Sequence, residues 1–349
     1  MGLALTTTRS YLYGKTHFTS NGFALHRQTI VKPDFPDYTD ILEDMSSKNL
    51  TDKNYVITGA NSGLGYEITR FLYSKGANVN LVCRNKERGE DCIEKLQEEC
   101  SLKEPHRLKL SVCDVSLESN IRQFERDISN DRKWQRIDGL ICNAGNLDNE
   151  RRVTNEGIEM TYATHMLFGT YLLGKVMLPW LGRTKDSRLI IVSSGGMLTT
   201  KMPKWEIATN SGPKAADKFD GQLAYAYSKR MQVLLAEEWS KEYRDSGVKI
   251  VSCHPGWVDT PGVERTYGTG GLNMKSWLQP LRNLWEGVDG ICWLAVAPAD
   301  QIESGAFYLD RLKQEKHLGS SWFESSTRNS PEEVAEMMQR LKMESHFEK

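Results

Sequence analysis

The sequence predicts an α/β fold, a doubly wound parallel sheet with extensions at both ends. Three observations predict it. Short apolar runs alternate with helix-length segments, as βαβ units require. A glycine-rich turn joins the first run to the first helix. No apolar run among the 349 residues is long enough to cross a bilayer. The domain is expected over 51–310, after a basic N-terminal arm and connector at 1–50 and before a helix-bearing extension at 311–349. A hydrophobic content of 39 % is enough for a substantial core, and a net charge of −1 gives no reason to expect nucleic acid. Seven cysteines are scattered without a C-x-x-C pair, so they read as reduced thiols in an intracellular protein. No zinc-type spacing is present, and no metal site is expected.

Tyr55-Val56-Ile57-Thr58 is β-prone and leads into Gly59-Ala60-Asn61-Ser62-Gly63-Leu64-Gly65, followed by a segment of helical spacing. Strand, glycine turn, helix is the context of a Rossmann-type dinucleotide site. Glycines let the backbone approach a pyrophosphate, and a helix N-terminus faces its charge. The next strand, Val79 to Cys83, is followed by Arg84 and Asn85, with no carboxylate for a ribose 2′-hydroxyl. A guanidinium there suits a 2′-phosphate, which favours NADP(H) over NAD(H). Further strands are expected at Leu108–Cys113, ending at Asp114-Val115, and at Ile137–Cys142, ending at Asn143-Ala144-Gly145. A long apolar helix is expected over 157–181 and a strand over Arg188–Val192, ending at Ser193-Ser194. Residues 197–221 read as a loop.

The next helix carries Tyr225-Ala226-Tyr227-Ser228-Lys229. Tyr225 and Lys229 stand four apart and so share one face. An ammonium beside a phenol favours phenolate, whose pKa is about 10 when unperturbed. Such a tyrosine can exchange a proton with an oxygen near neutral pH. A strand over Val248–Cys253 then leads into His254-Pro255-Gly256-Trp257-Val258-Asp259-Thr260. Residues 262–285 carry Trp277 and Trp285 and read as a flexible loop over an apolar pocket, which suits a lipophilic substrate. Helices are expected over Gly287–Ala297 and from Pro331 to about Met343, the latter opened by a capping box at Ser330 and Glu333. A last strand is expected over Gly305–Leu309.

These motifs, in this order, resemble the short-chain dehydrogenase/reductase superfamily, in its short single-domain form. The resemblance implies a nicotinamide-dependent oxidoreductase with Ser194, Tyr225 and Lys229 as catalytic residues. Ser194 would hold the substrate oxygen, and Lys229 would also hold the nicotinamide ribose. It implies cofactor contacts from Gly59, Asn61, Ser62, Gly63, Leu64, Gly65, Arg84 and Asn85. Asp114 and Val115 would border the adenine, and Asn143, Ala144 and Gly145 the cofactor's middle. Pro255, Gly256, Val258 and Thr260 complete the set, with Thr260 at the carboxamide. Members commonly pair through the helices corresponding to 157–181 and 222–243, so a homodimer is expected.

One departure stands out. Where the family has a helix-bending asparagine that supports a relay water, this chain has His165, with Phe168 as an extra residue. His165 is either part of the proton relay or a core histidine. The rival to an enzyme is a nucleotide-binding scaffold or redox sensor whose relay has decayed there; intact Ser194, Tyr225 and Lys229 argue against it.

Residues 1–33 hold no acid, a composition read in two ways: a basic arm packed on the domain, or a mitochondrial transit peptide. The cytoplasm is the expected compartment and the mitochondrion the alternative. Gly2 also fits the loose myristoylation pattern. Asp34-Phe35-Pro36-Asp37 reads as a connector.

Overall fold

The computed structural model describes residues 2–30, 45, 49–100, 104–212, 219–267, 274–318 and 327–347. The arm forms two helices, α1 (Gly2–His17) and α2 (Ser20–Ile30). The connector at Asp34 to Asp37 lies outside the described residues. The alternating core follows as β1 (Asn54–Thr58), α3 (Gly63–Ser74), β2 (Asn78–Cys83), α4 (Lys86–Cys100), β3 (Leu108–Val112), α5 (Glu118–Ser129) and β4 (Gly139–Cys142). Next comes one long composite helix. It opens with α6 (Met160–Tyr162), runs as π-helix over Ala163–Leu172 and ends as α7 (Leu173–Leu181). Then follow β5 (Arg188–Val192), the short α8 (Trp205–Ala208), α9 (Gly221–Glu242), β6 (Lys249–Cys253), α10 (Pro261–Tyr267), α11 (Met274–Leu278), α12 (Leu284–Val296), β7 (Phe307–Leu309), β8 (Leu312–Lys313) and α13 (Pro331–Glu344).

Among the described residues eight strands pair in one sheet, in the order β3-β2-β1-β4-β5-β6-β7-β8, with β7–β8 its one antiparallel pairing. The order reverses between β1 and β4, whose carboxyl ends therefore flank the crevice where an open α/β sheet binds ligands. Strands β1, β2, β4 and β5 are buried along their whole length, as a sheet covered on both faces demands. One face packs under α5, the composite helix, α9 and α13; the other packs under α3, α4 and α12.

The structure departs from sequence expectation at 197–221, where the short α8 buries Trp205 and Ala208 within the expected loop, at 262–285 and at the start of α12. The arm lacks an apolar stripe at helical spacing, yet it is helical and buries Phe18, Phe23 and His26 by tertiary contact. Residues 262–285 are not one loop. Helices α10 and α11 occupy much of it, and Gly268 to Gly271 lie outside the described residues. A capping box at Asn283 and Glu286 starts α12 earlier than expected. The expected capping box at Ser330 and Glu333 is present at α13.

Candidate active site

The crevice is built from backbone requirements first. Gly59 (φ +65°) and Gly63 (φ +53°) both adopt left-handed conformations that glycine reaches without strain. A Cβ on Gly65 would strike the Gly59 carbonyl, so α3 packs against the turn only because Gly65 has none. A Cβ on Gly63 would meet nothing within 4 Å, so this backbone stands open at the start of α3. Ser62 is the N-cap and its side chain makes no capping bond to the helix. An open glycine backbone at a helix N-terminus fits a pyrophosphate. Asn61 and Leu64 flank it, half-buried.

Opposite this turn, Thr58 holds the end of β4. Its Oγ1 accepts from the Asn143 and Ala144 amides at 3.0 and 2.9 Å, and its carbonyl accepts from Asn143 Nδ2 at 2.9 Å. The Asn143 side chain is thus spent on positioning the two strand ends. Arg84, exposed, follows β2 and lies 3.9 Å from the Asp114 carboxylate. Asp114 in turn accepts from Ser116. Asn85 Oδ1 accepts from the Arg88 amide at 2.8 Å and so serves the first turn of α4. Val115 is buried, with a methyl against Gly169.

Three chemical groups converge past β5. Ser194 caps a short 3-10 turn, its Oγ accepting from the Gly196 amide at 3.2 Å. A Cβ on Gly196 would lie 3.7 Å from Ser194 Oγ and 3.9 Å from the Tyr225 ring, so serine and tyrosine share the space in front of one glycine. Lys229 lies one helical turn on, its Nζ 5.3 Å from the Tyr225 ring centroid. Lys229 is 3 % exposed, and its Nζ donates to the Val192 carbonyl at 2.8 Å. Burial pushes its pKa down to about 7, against an upward pull from the neighbouring Cys253 and Cys142 thiols. Ser193 Oγ donates to the Lys229 carbonyl at 2.8 Å and ties the lysine's backbone to the strand end.

His165 belongs to the same cluster. Its ring stands edge-on to Tyr225, centroids 5.2 Å apart, and lies so close over Gly145 that a Cβ there would clash. Its pKa is held well below the usual imidazole range by burial and the Lys229 charge. The helix around it is π-type over Ala163–Leu172, a geometry in which one added residue can be absorbed within a helix.

The remaining predicted positions form the far rim. Gly256 (φ +79°) has the Arg282 guanidinium where a Cβ would be. The Pro255 carbonyl accepts from Arg282 at 3.3 Å. Val258 is buried against Gly287, and Thr260 Oγ1 accepts from the Val263 amide at 3.2 Å, at the start of α10.

Sequence reasoning missed what holds this rim. Arg282, with no exposed surface, bonds the carbonyls of His17, Phe18 and Thr19 and the carboxylate of Asp310. His26 meets the same carboxylate at 2.7 Å. Phe18 presses on Gly195 and packs edge-on against His254, and Ser10 Oγ donates to the Leu198 carbonyl at 2.8 Å. The arm is therefore one wall of the region beside Ser194. On the other side, Glu344 of α13 accepts from Trp205 and Tyr162. No local pattern signals these contacts: Arg282 and Asp310 lie 28 residues apart, and the partners of the arm and of Glu344 lie more than a hundred residues away.

A family model described as short chain dehydrogenase matches residues 53–268. The chain belongs to this family. As a short-chain dehydrogenase/reductase it is an oxidoreductase of a CH–OH/C=O pair. It is 32 % identical over 303 residues to dehydrogenase/reductase SDR family member 12 of Bos taurus, spanning 86 % of this chain and 89 % of that protein. It is 31 % identical to retinol dehydrogenase 11 of Homo sapiens over 221 residues, spanning 63 % of this chain and 66 % of that one. L-sorbose reductase from Gluconobacter frateurii, solved with NADPH and L-sorbose, shares the fold. Its TM-score is 0.57 at 19 % identity, over 74 % of this chain and 95 % of that one. No helix among the described residues is long and apolar enough to cross a membrane.

Proposed function

We propose that this short-chain dehydrogenase reduces or forms the carbonyl of a lipophilic small molecule with NADP(H) as hydride carrier. The observation that carries the reading is that Ser194 and Tyr225 share the space in front of Gly196 while Lys229 Nζ stands 5.3 Å from the Tyr225 ring centroid. The cofactor supplies the hydride. Ser194 Oγ holds the substrate oxygen, and Tyr225 gives or takes its proton. Lys229, charged beside the ring, favours phenolate and so lowers the cost of that transfer. A fixed donor and a proton source at the oxygen stabilise the charge that develops there.

Arg84 supports the preference for NADP(H). Its pairing with Asp114 at 3.9 Å is exposed, a kind of contact worth about 0–1 kcal/mol, so the guanidinium is readily drawn to a 2′-phosphate. The aromatic rim of Tyr11, Trp257 and Trp277 and the name of the retinol dehydrogenase relative support a lipophilic substrate.

The test is a titration of NADPH and NADH against wild type and Arg84→Ala, followed by turnover on a panel of lipid carbonyls. NADPH should bind more tightly to wild type, and Arg84→Ala should remove about 1.5–3 kcal/mol of that preference. Equal affinities in wild type would exclude the 2′-phosphate role, and a panel wholly without turnover would favour the scaffold reading.

A further inference from the structure

Helix α1 touches the two segments that border the reacting end of the site. On one side Ser10 Oγ donates to the Leu198 carbonyl at 2.8 Å, and the Phe18 ring lies where a Cβ on Gly195 would be. On the other, a Cβ on Gly14 would strike the Trp257 indole, and Tyr11 Oη donates to the Trp277 carbonyl at 2.9 Å. Leu198 follows Ser194 past β5, whereas Trp257 and Trp277 flank Thr260 past β6. One helix of the N-terminal arm thus bridges the exits of two paired strands.

Four aromatic rings follow one another outward from this bridge. Phe18, against Gly195, stands edge-on to Trp257 with centroids 5.8 Å apart. Trp257 stacks on Tyr11 at 6.0 Å, and Tyr11 tilts against Trp277 at 6.4 Å. Burial falls along the same line. Phe18 is 2 % exposed, Trp257 and Tyr11 are half-buried, and Trp277 is 62 % exposed. Holding the arm does not require the outer rings. Arg282 already binds the carbonyls of His17, Phe18 and Thr19, and Phe18 is buried with Met197, Val233 and Phe307. The Trp277 ring, mostly in water, adds little to that grip. Its backbone, by contrast, is fixed. The Trp277 carbonyl accepts from Tyr11 Oη and, at 3.3 Å, from Lys15 Nζ, which also donates to the Gln279 carbonyl. The arm therefore holds an indole in place and leaves its ring uncovered. A large apolar ring fixed in this way suits a ligand, because its ordering cost is met before the ligand arrives.

We propose that Tyr11, Trp257 and Trp277 form a subsite for the long apolar tail of the substrate, so that the N-terminal arm determines which carbonyls the enzyme selects. The proposal rests on the carbonyl–alcohol reading above. The carbonyl sits at Ser194, and the tail leaves it along the line of rings towards Trp277. Tyr11 and Trp277 determine specificity and take no part in the chemistry, since they meet only the far end of the substrate. A short carbonyl reaches Ser194 without meeting the outer rings. Each further methylene buried among them is worth about fourfold in binding. Lys15 is a positioning residue, acting through the backbone of Trp277.

Tail binding is read first without turnover. Decan-1-ol added to the full chain should shift its tryptophan emission to the blue, and butan-1-ol at the same concentration should not. Most of the decan-1-ol shift should vanish in Trp277→Phe. No shift in wild type, or an equal shift in wild type and variant, overturns the subsite. Turnover then tests selection. The kcat/KM for decanal relative to butanal should fall about tenfold in Trp277→Ala and in Tyr11→Ala, with the change carried by KM for decanal. Tyr11→Phe keeps the ring and should retain most of the wild-type ratio. Trp277→Ala decides the matter even if Tyr11→Ala loosens the arm, because an exposed side chain is replaced with little effect on the fold. A wild-type ratio in Trp277→Ala overturns the role of the arm in selection. If wild type turns over neither aldehyde, the reaction assigned above fails, and the emission shifts alone judge the subsite.

Discussion

The two halves of this sheet are built by different means. Around β1 to β4 the crevice is shaped by short motifs whose members contact one another: Thr58 holds Asn143, and Gly65 fits under Gly59. Past β5 the wall is assembled from both ends of the chain. The arm brings Ser10 and Phe18 to residues 195–198, and α13 brings Glu344 to Trp205. The first half rests on a local backbone path, whereas the wall past β5 depends on side chains contributed from a distance. Substitutions should therefore act differently in the two. At the glycine turn and in the Ser194, Tyr225 and Lys229 cluster they should change cofactor binding or chemistry, and in the buried contacts made by the termini they should change stability.

The chemistry should show the largest effect. Tyr225→Phe should lower kcat on a verified carbonyl by about 10²–10⁴-fold with NADPH affinity nearly unchanged, the range for loss of a general acid. Wild-type rates in that variant would place the acid elsewhere.

Lys229 separates chemistry from stability. Its folded pKa of about 7 lies below the unfolded value, so between about pH 7 and 10.5 the unfolded chain binds the extra proton. Stability therefore rises with pH across that window, and the penalty for burying the charge is fully present below it. Lys229→Met should lack this slope. Its stability relative to wild type should be most favourable near pH 6, by an amount on the order of several kcal/mol, and the advantage should fade towards pH 10. Parallel denaturation curves at pH 6, 7.5 and 9 would show that the lysine is not buried as a charge.

Arg282→Leu tests the arm. It leaves Asp310 without its main partner, a loss of about 3–5 kcal/mol for a broken buried pair. Denaturation should register it, and limited proteolysis should cut the arm first while the glycine turn keeps its NADPH affinity. Cleavage no faster than in wild type would mean that other contacts hold the arm.

The smallest effect is expected at the far end. Ser330→Ala removes the side-chain half of the α13 capping box and should cost about 1 kcal/mol, read as a lower denaturation midpoint. No change would mean that Met337 and Leu341, buried in the core, fix the helix without its cap.

What the sequence determined by itself is the set of features that one short segment can encode. The alternation of strands and helices, the glycine turn, the Ser330 capping box and the Tyr225–Lys229 face are all of this kind. Each depends on spacing, and spacing survives in one dimension. The departure at His165 was legible as an altered stretch of helix, although not that this stretch would be π-helix. The tertiary structure alone decided which polar atoms find partners. Gln232 closes the carbonyl of residue 165, and Asn85 turns to cap α4. Arg282 gathers the arm and the rim around one carboxylate. It also decided that an arm without an apolar stripe would be helical, because burial against Trp257, His254 and Gly195 supplies the stabilisation that its own pattern does not. Hydrogen-bond satisfaction and burial are properties of the packed interior, where partners far apart in sequence meet.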